Sequence, residues 1–91
     1  MDRLYLLDRG FPFFAIISAT EAVELYSSAP PDRRVGEPAE GFNYWITAEN
    51  GHGRSFRLIT RVVPIPPENL PELCRQLGRL VILPEGLPTC P

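Results

Sequence analysis

Three observations predict a small α+β domain. Two stretches of strand-forming residues each fold back across a turn, an amphipathic segment follows each of them, and the 91-residue length allows a single core. The predicted order is β-β-α-β-β-α-β, an antiparallel sheet of about four to five strands with two helices packed on one face. A hydrophobic fraction of 44% and a charged fraction of 22% are ordinary for a folded protein. A domain of this size buries about 60–65% of its unfolded surface, so its stability margin is narrow.

Arg3 to Asp8 is short and apolar and reads as a strand. Arg9-Gly10 marks a turn, and Phe13 to Ile17 is rich in aromatic and β-branched residues, as a central strand requires. The two form a hairpin with Asp8 to Pro12 as its loop. Ser18 and Glu21 have capping-box spacing. Ala19, Ala22, Val23 and Tyr26 then recur at helical spacing, so a helix runs to about Ser27 and stops before Pro30-Pro31.

Residues 29–41 are rich in proline, glycine and charge and read as a surface loop. A second hairpin spans Phe42 to Val63, with Asn50-Gly51-His52-Gly53 as its loop. A loop of those residues sets Glu49 opposite Arg54. Asn69 and Pro71 open a second helix, whose apolar face is Leu70, Leu73, Cys74 and Leu77. Gly78 weakens that helix by about 1 kcal/mol relative to alanine. Leu80 to Leu83 forms a last strand, and 84–91 is an extended tail.

Composition bounds the function. A formal charge of −2 gives no general attraction to nucleic acid or anionic membrane. All nine basic residues are Arg, which fits a GC-rich bacterial or phage genome and suits protein contact, since guanidinium pairs with carboxylates and stacks on aromatic rings. No run approaches the roughly 18 apolar residues of a membrane span. The segment before Phe11–Ala19 carries balanced charge, unlike a secretory signal. Two cysteines give no disulfide framework. Cys74 reads as a buried free thiol, and a Cys74–Cys90 bridge is open; the expected setting is the reducing cytoplasm.

Catalytic patterns are missing. One His and two distant Cys do not make a metal site, and Gly51-His52-Gly53 lacks the Lys of a phosphate loop. No catalytic residue, metal or cofactor is expected. The remaining signal is the second hairpin. With Glu49 opposite Arg54, Trp45, Thr47, Phe56, Leu58 and Val62 share an apolar face that packs on the helices. The other face gathers Phe42, Tyr44, Ile46, Arg57, Ile59 and Arg61. Aromatic residues interleaved with Arg have the composition of interface hot spots. These six are the expected partner-binding residues, with Arg33, Arg34 and His52 as secondary contacts.

The expected function is therefore a small non-catalytic protein-binding module. Such a module is an inhibitor of the immunity, antitoxin or anti-defence (anti-CRISPR) type, or a small subunit of a larger assembly. Its partner is another protein, a second copy included. Two alternatives are a single-stranded nucleic-acid binder using Tyr44, Arg57 and Arg61, and a small-molecule-binding domain or enzyme with a deep polar pocket.

Overall fold

The structure is a computed structural model, and it describes residues 3–82. In chain order the elements are β1 (Leu4–Asp8), β2 (Phe14–Ser18), α1 (Ala19–Ser28), β3 (Arg34–Glu37), β4 (Gly41–Glu49), β5 (Ser55–Ile65), α2 (Leu70–Leu77) and β6 (Val81–Ile82). The α+β single domain holds. Its six strands form one sheet in the order β3-β4-β5-β1-β2-β6. The sheet is mixed, not wholly antiparallel, because β6 runs parallel to β2. The extra strand, β3, lies within the 29–41 segment expected as a loop. Its sequence Arg-Val-Gly-Glu carries little strand signal, as suits a charged edge strand.

The helices divide between the two faces of the sheet; they do not share one. Tyr5, Ile17, Phe42 and Val62 pack with Ala22 of α1. Ile16 and Ile65 pack with Cys74 of α2. Ile16 and Ile17 are neighbours on one strand, so these two clusters lie on opposite faces. The reason is in β1 and β2, which are apolar at consecutive positions (Leu4 to Leu7, Ala15 to Ile17). Strands of that kind expose apolar surface on both sides and need cover on both.

Local chemistry fixes the helix ends. The Ser18 hydroxyl accepts the Glu21 backbone N–H at 3.1 Å, as the capping-box spacing predicts. Ala19, Ala22, Leu25 and Tyr26 face the core, whereas the expected Val23 is exposed. At the other end, Arg34 of β3 donates to the carbonyls of Tyr26 and Ala29 and lies 4.0 Å over the Tyr26 ring. Those carbonyls have no partner within the helix, so Arg34 completes the helix end and ties β3 to α1. Arg34 is thus built into the fold, while Arg33 stays exposed.

Gly78 lies outside α2 instead of weakening it. It takes φ 55 at the cap, and its N–H bonds to the Cys74 carbonyl. A residue without Cβ is suited to that turn. Asn69 makes no side-chain cap; a short 3-10 turn at Pro67–Asn69 leads into the helix instead. Cys74 is buried as expected, but it is disulfide-bonded and not a free thiol. Leu83, Cys90 and the 84–91 tail lie outside the described residues. Among the described residues no helix is long and apolar enough to cross a membrane.

Two substitutions test this packing by urea denaturation. Ile16 is 1% exposed, and Ile16→Ala should cost about 3 kcal/mol through lost burial and the cavity left behind. Arg34→Met should cost about 2 kcal/mol by orphaning two carbonyls, whereas Arg33→Met should stay within about 0.5 kcal/mol.

Candidate partner-binding cleft

The site begins at the β4–β5 turn. Asn50 N–H bonds to the Arg54 carbonyl at 3.0 Å, and Gly53 N–H bonds to the Asn50 carbonyl at 3.1 Å. The Asn50 side-chain Oδ1 accepts two more N–H groups, from His52 at 2.8 Å and Arg54 at 3.1 Å. Gly53 takes φ 76, the left-handed conformation that closes a three-residue loop with a bulge. The loop is therefore Gly51-His52-Gly53, and Asn50 pairs across it with Arg54. Glu49 falls opposite Ser55, not Arg54.

That difference of one residue reverses the expected faces. In the observed register Tyr44 lies opposite Thr60, Trp45 opposite Ile59 and Thr47 opposite Arg57. Phe42, Tyr44 and Ile46 thus share a face with Phe56, Leu58, Thr60 and Val62. Trp45 shares the other with Arg57, Ile59 and Arg61. The six expected partner-binding residues do not form one surface. Phe42 is core: it meets Tyr26 edge-on at 5.1 Å and stacks on Tyr44 at 6.2 Å. Tyr44 is half-buried and Ile46 exposed on the α1 face. Arg57, Ile59 and Arg61 are exposed on the α2 face. Of the expected core face, Val62 is fully buried but Phe56 and Leu58 are exposed. The stacking platform of Tyr44 with Arg57 and Arg61 is likewise split between faces. His52 is exposed at the turn.

What the structure does assemble is a cleft at the open edge of β5. β1 covers only Arg61 to Ile65 of that strand and stops at Asp8, opposite Arg61. The chain leaves the sheet there: Asp8 Oδ1 accepts the Gly10 N–H at 2.8 Å, and Arg9 N–H bonds to the Phe13 carbonyl at 3.0 Å. Beyond Asp8 a cleft of about 740 Å³ opens. Arg57, Leu58, Ile59 and Thr60 form one wall, and Phe13, Phe14 and Ile82 line it from the β1–β2 loop and the short β2–β6 edge. Phe13, Leu58, Ile59 and Ile82 are all exposed large hydrophobic residues.

The backbone of this wall is unpaired on one side. Bonds alternate sides along an antiparallel strand, and the Asn50–Arg54 bond sets the phase. Even-numbered residues of β5 bond toward β4; odd-numbered residues point the other way. β1 takes Arg61, Val63 and Ile65. Among the described residues no strand pairs with Ser55, Arg57 and Ile59 on that side. The same phase explains Pro64 inside a long strand. Its missing N–H falls on the β4 side, beyond the last pair, Phe42–Val62.

The charge in the cleft has one sign. Among the described residues Arg9 and Arg57 line it, and no carboxylate does. Arg57 is held by Trp45, whose ring centre is 5.3 Å from the guanidinium carbon. Among the described residues no three His, Cys, Asp or Glu come together as metal ligands would. Sequence reasoning named Tyr44, Ile46, Arg57 and Ile59 but missed Arg9, Phe13, Phe14, Leu58 and Ile82. A usable signal was length: the strand ending at Ile65 is far longer than the Leu4–Asp8 strand that must pair with it.

Comparison with protein-family models, with curated proteins and with solved structures returns no match.

The register is directly testable. Thr47→Cys with Arg57→Cys places two thiols at a close, non-hydrogen-bonded pair, within disulfide reach. Mild oxidation should link them, as read by mass spectrometry of the unreduced digest. Ile46→Cys with Arg57→Cys, opposite each other only if the strands slip by one residue, should stay unlinked.

Proposed function

We propose that this protein is a non-catalytic protein-binding module, an inhibitor or a small subunit of a larger assembly, and that its binding surface is the β5 cleft. The observation that carries the reading is the open edge from Ser55 to Thr60, flanked by exposed apolar side chains. Exposed strand edges are normally blunted by charge, proline or cover, because they recruit other chains. β3, the edge at the other side of the sheet, is short and carries Arg34 and Glu37. The β5 edge instead presents Leu58 and Ile59 beside a cleft. Such apolar exposure concentrated at one place marks an interaction surface.

The cleft is apolar apart from a few groups, which supports a binding role over a reaction site. The reading as a nucleic-acid binder draws less support, since Tyr44 falls on the face opposite Arg57 and Arg61. The disulfide at Cys74 supports an oxidising compartment over the expected cytoplasm.

The test is site-specific photocrosslinking in the cells of origin. Benzoylphenylalanine at Ile59 should capture a partner protein, and the same group at the exposed Val35 of β3 should not. No crosslink from Ile59, or equal crosslinking from both positions, would overturn the assignment of the surface.

A further inference from the structure

We infer that the cleft binds an extended peptide as an added strand on β5, and that this peptide alternates apolar with acidic residues. The inference rests on the protein-binding reading and names the partner's chemistry. Three observations carry it. The first is the backbone left without a strand partner among the described residues: Arg57 and Ile59 each present a donor and an acceptor toward the cleft, and Ser55 continues the row along the same edge. An incoming strand satisfies such a row in the place β1 vacates at Asp8, in line with β1 and antiparallel to β5.

The second is the difference between the two faces. Alternate side chains of an added strand point to opposite faces. On the α1 face they meet Leu7, Leu58 and Thr60, with Tyr44 and Ile46 beyond. That side is apolar apart from Arg9, which also borders a smaller pocket lined by Glu21 and Glu24 of α1. On the α2 face they meet Arg57 beside Ile59. The third is charge. Among the described residues Arg9 and Arg57 line the cleft and no carboxylate does, and the Arg57 guanidinium lies over the Trp45 ring. A carboxylate at alternate peptide positions supplies the missing partner, with forked pairing to a pre-placed guanidinium.

A second copy of the chain is a worse occupant. β5 holds Arg54 just before it and Arg57 and Arg61 within it, and Ser55–Ile65 contains no Asp or Glu. Antiparallel self-pairing would bring these cations together with nothing to offset them.

The probes are fluorescein-labelled peptides of about ten residues, the length of a typical strand or slightly more. One alternates valine with glutamate, one alternates valine with lysine, and binding to the full chain is read by anisotropy. The glutamate peptide should bind saturably, and the lysine peptide at least about tenfold more weakly. N-methylation of the alternate amides that face β5 should abolish binding, while methylation of the other set is tolerated. Arg57→Glu should weaken the glutamate peptide by about tenfold at an unchanged melting temperature. If that variant is unstable, Arg57→Gln should still give a measurable loss.

Equal binding of both peptides, or tolerance of both methylation patterns, would overturn the inference. So would a dimer by sedimentation velocity that shields a thiol placed at Ile59. Crosslinking from Ile59 without binding of any peptide would overturn strand addition and leave the protein-binding reading standing. Absence of crosslinking with retained peptide binding would do the reverse.

Discussion

The Asn50 side chain accepts two backbone N–H groups and holds a three-residue turn, and the parity of that turn governs half of the molecule. A side chain on a strand can face only two ways, so an odd loop and an even loop give opposite surfaces from the same strands. With Gly53 in the left-handed conformation, Phe42 and Val62 meet on the α1 side and build the core with Tyr5 and Ile17. The same parity turns Arg57 and Ile59 to the other face, beside Trp45. It also selects which backbone groups of β5 point toward the cleft. One amide side chain thus sets core composition, surface chemistry and edge pairing together.

The domain has two thin hydrophobic clusters where a larger protein would have one deep one. β1 lies between them and contributes to both, through Tyr5 on one side and Leu4 and Leu6 on the other. Neither cluster reaches the distal half of the β4–β5 hairpin. Phe56, Leu58 and Ile59 remain exposed there because neither helix extends over them. The cleft results from the mismatch between a short β1 and a long β5.

Much of this was legible from residues alone, and the errors have identifiable causes. Strong local signals held: the Ser18–Glu21 cap, the Leu70–Leu73–Cys74 helix face and the two hairpins. Register failed because Asn50-Gly51-His52-Gly53 can be counted as a four-residue loop. Nothing local shows that Asn50 belongs to the ladder until its Oδ1 is seen bound to Arg54 N–H. The helices' placement failed because continuous apolarity in β1 was read only as strand propensity, not as a demand for cover on both faces. β3 was missed because its four residues are held by Arg34 docking on α1, a contact between distant parts of the sequence. The cleft was invisible for the same reason: its walls come from residues near 13, 58 and 82.

The placement of β1 also sets where the sheet closes one of its two longest loops. Leu4 pairs with Ile65 and Asp8 with Arg61, so β1 lies against the end of β5. The β1–β2 and β4–β5 hairpins are local and close early, whereas the seam joining them spans most of the chain and carries the larger loop-closure cost. During synthesis the N-terminal hairpin and α1 can form as a unit. The face of Leu4 and Leu6 then stays bare until residues 61–65 and α2 have emerged. Joining the two hairpins at β1 and β5 therefore closes a loop that neither hairpin can close alone.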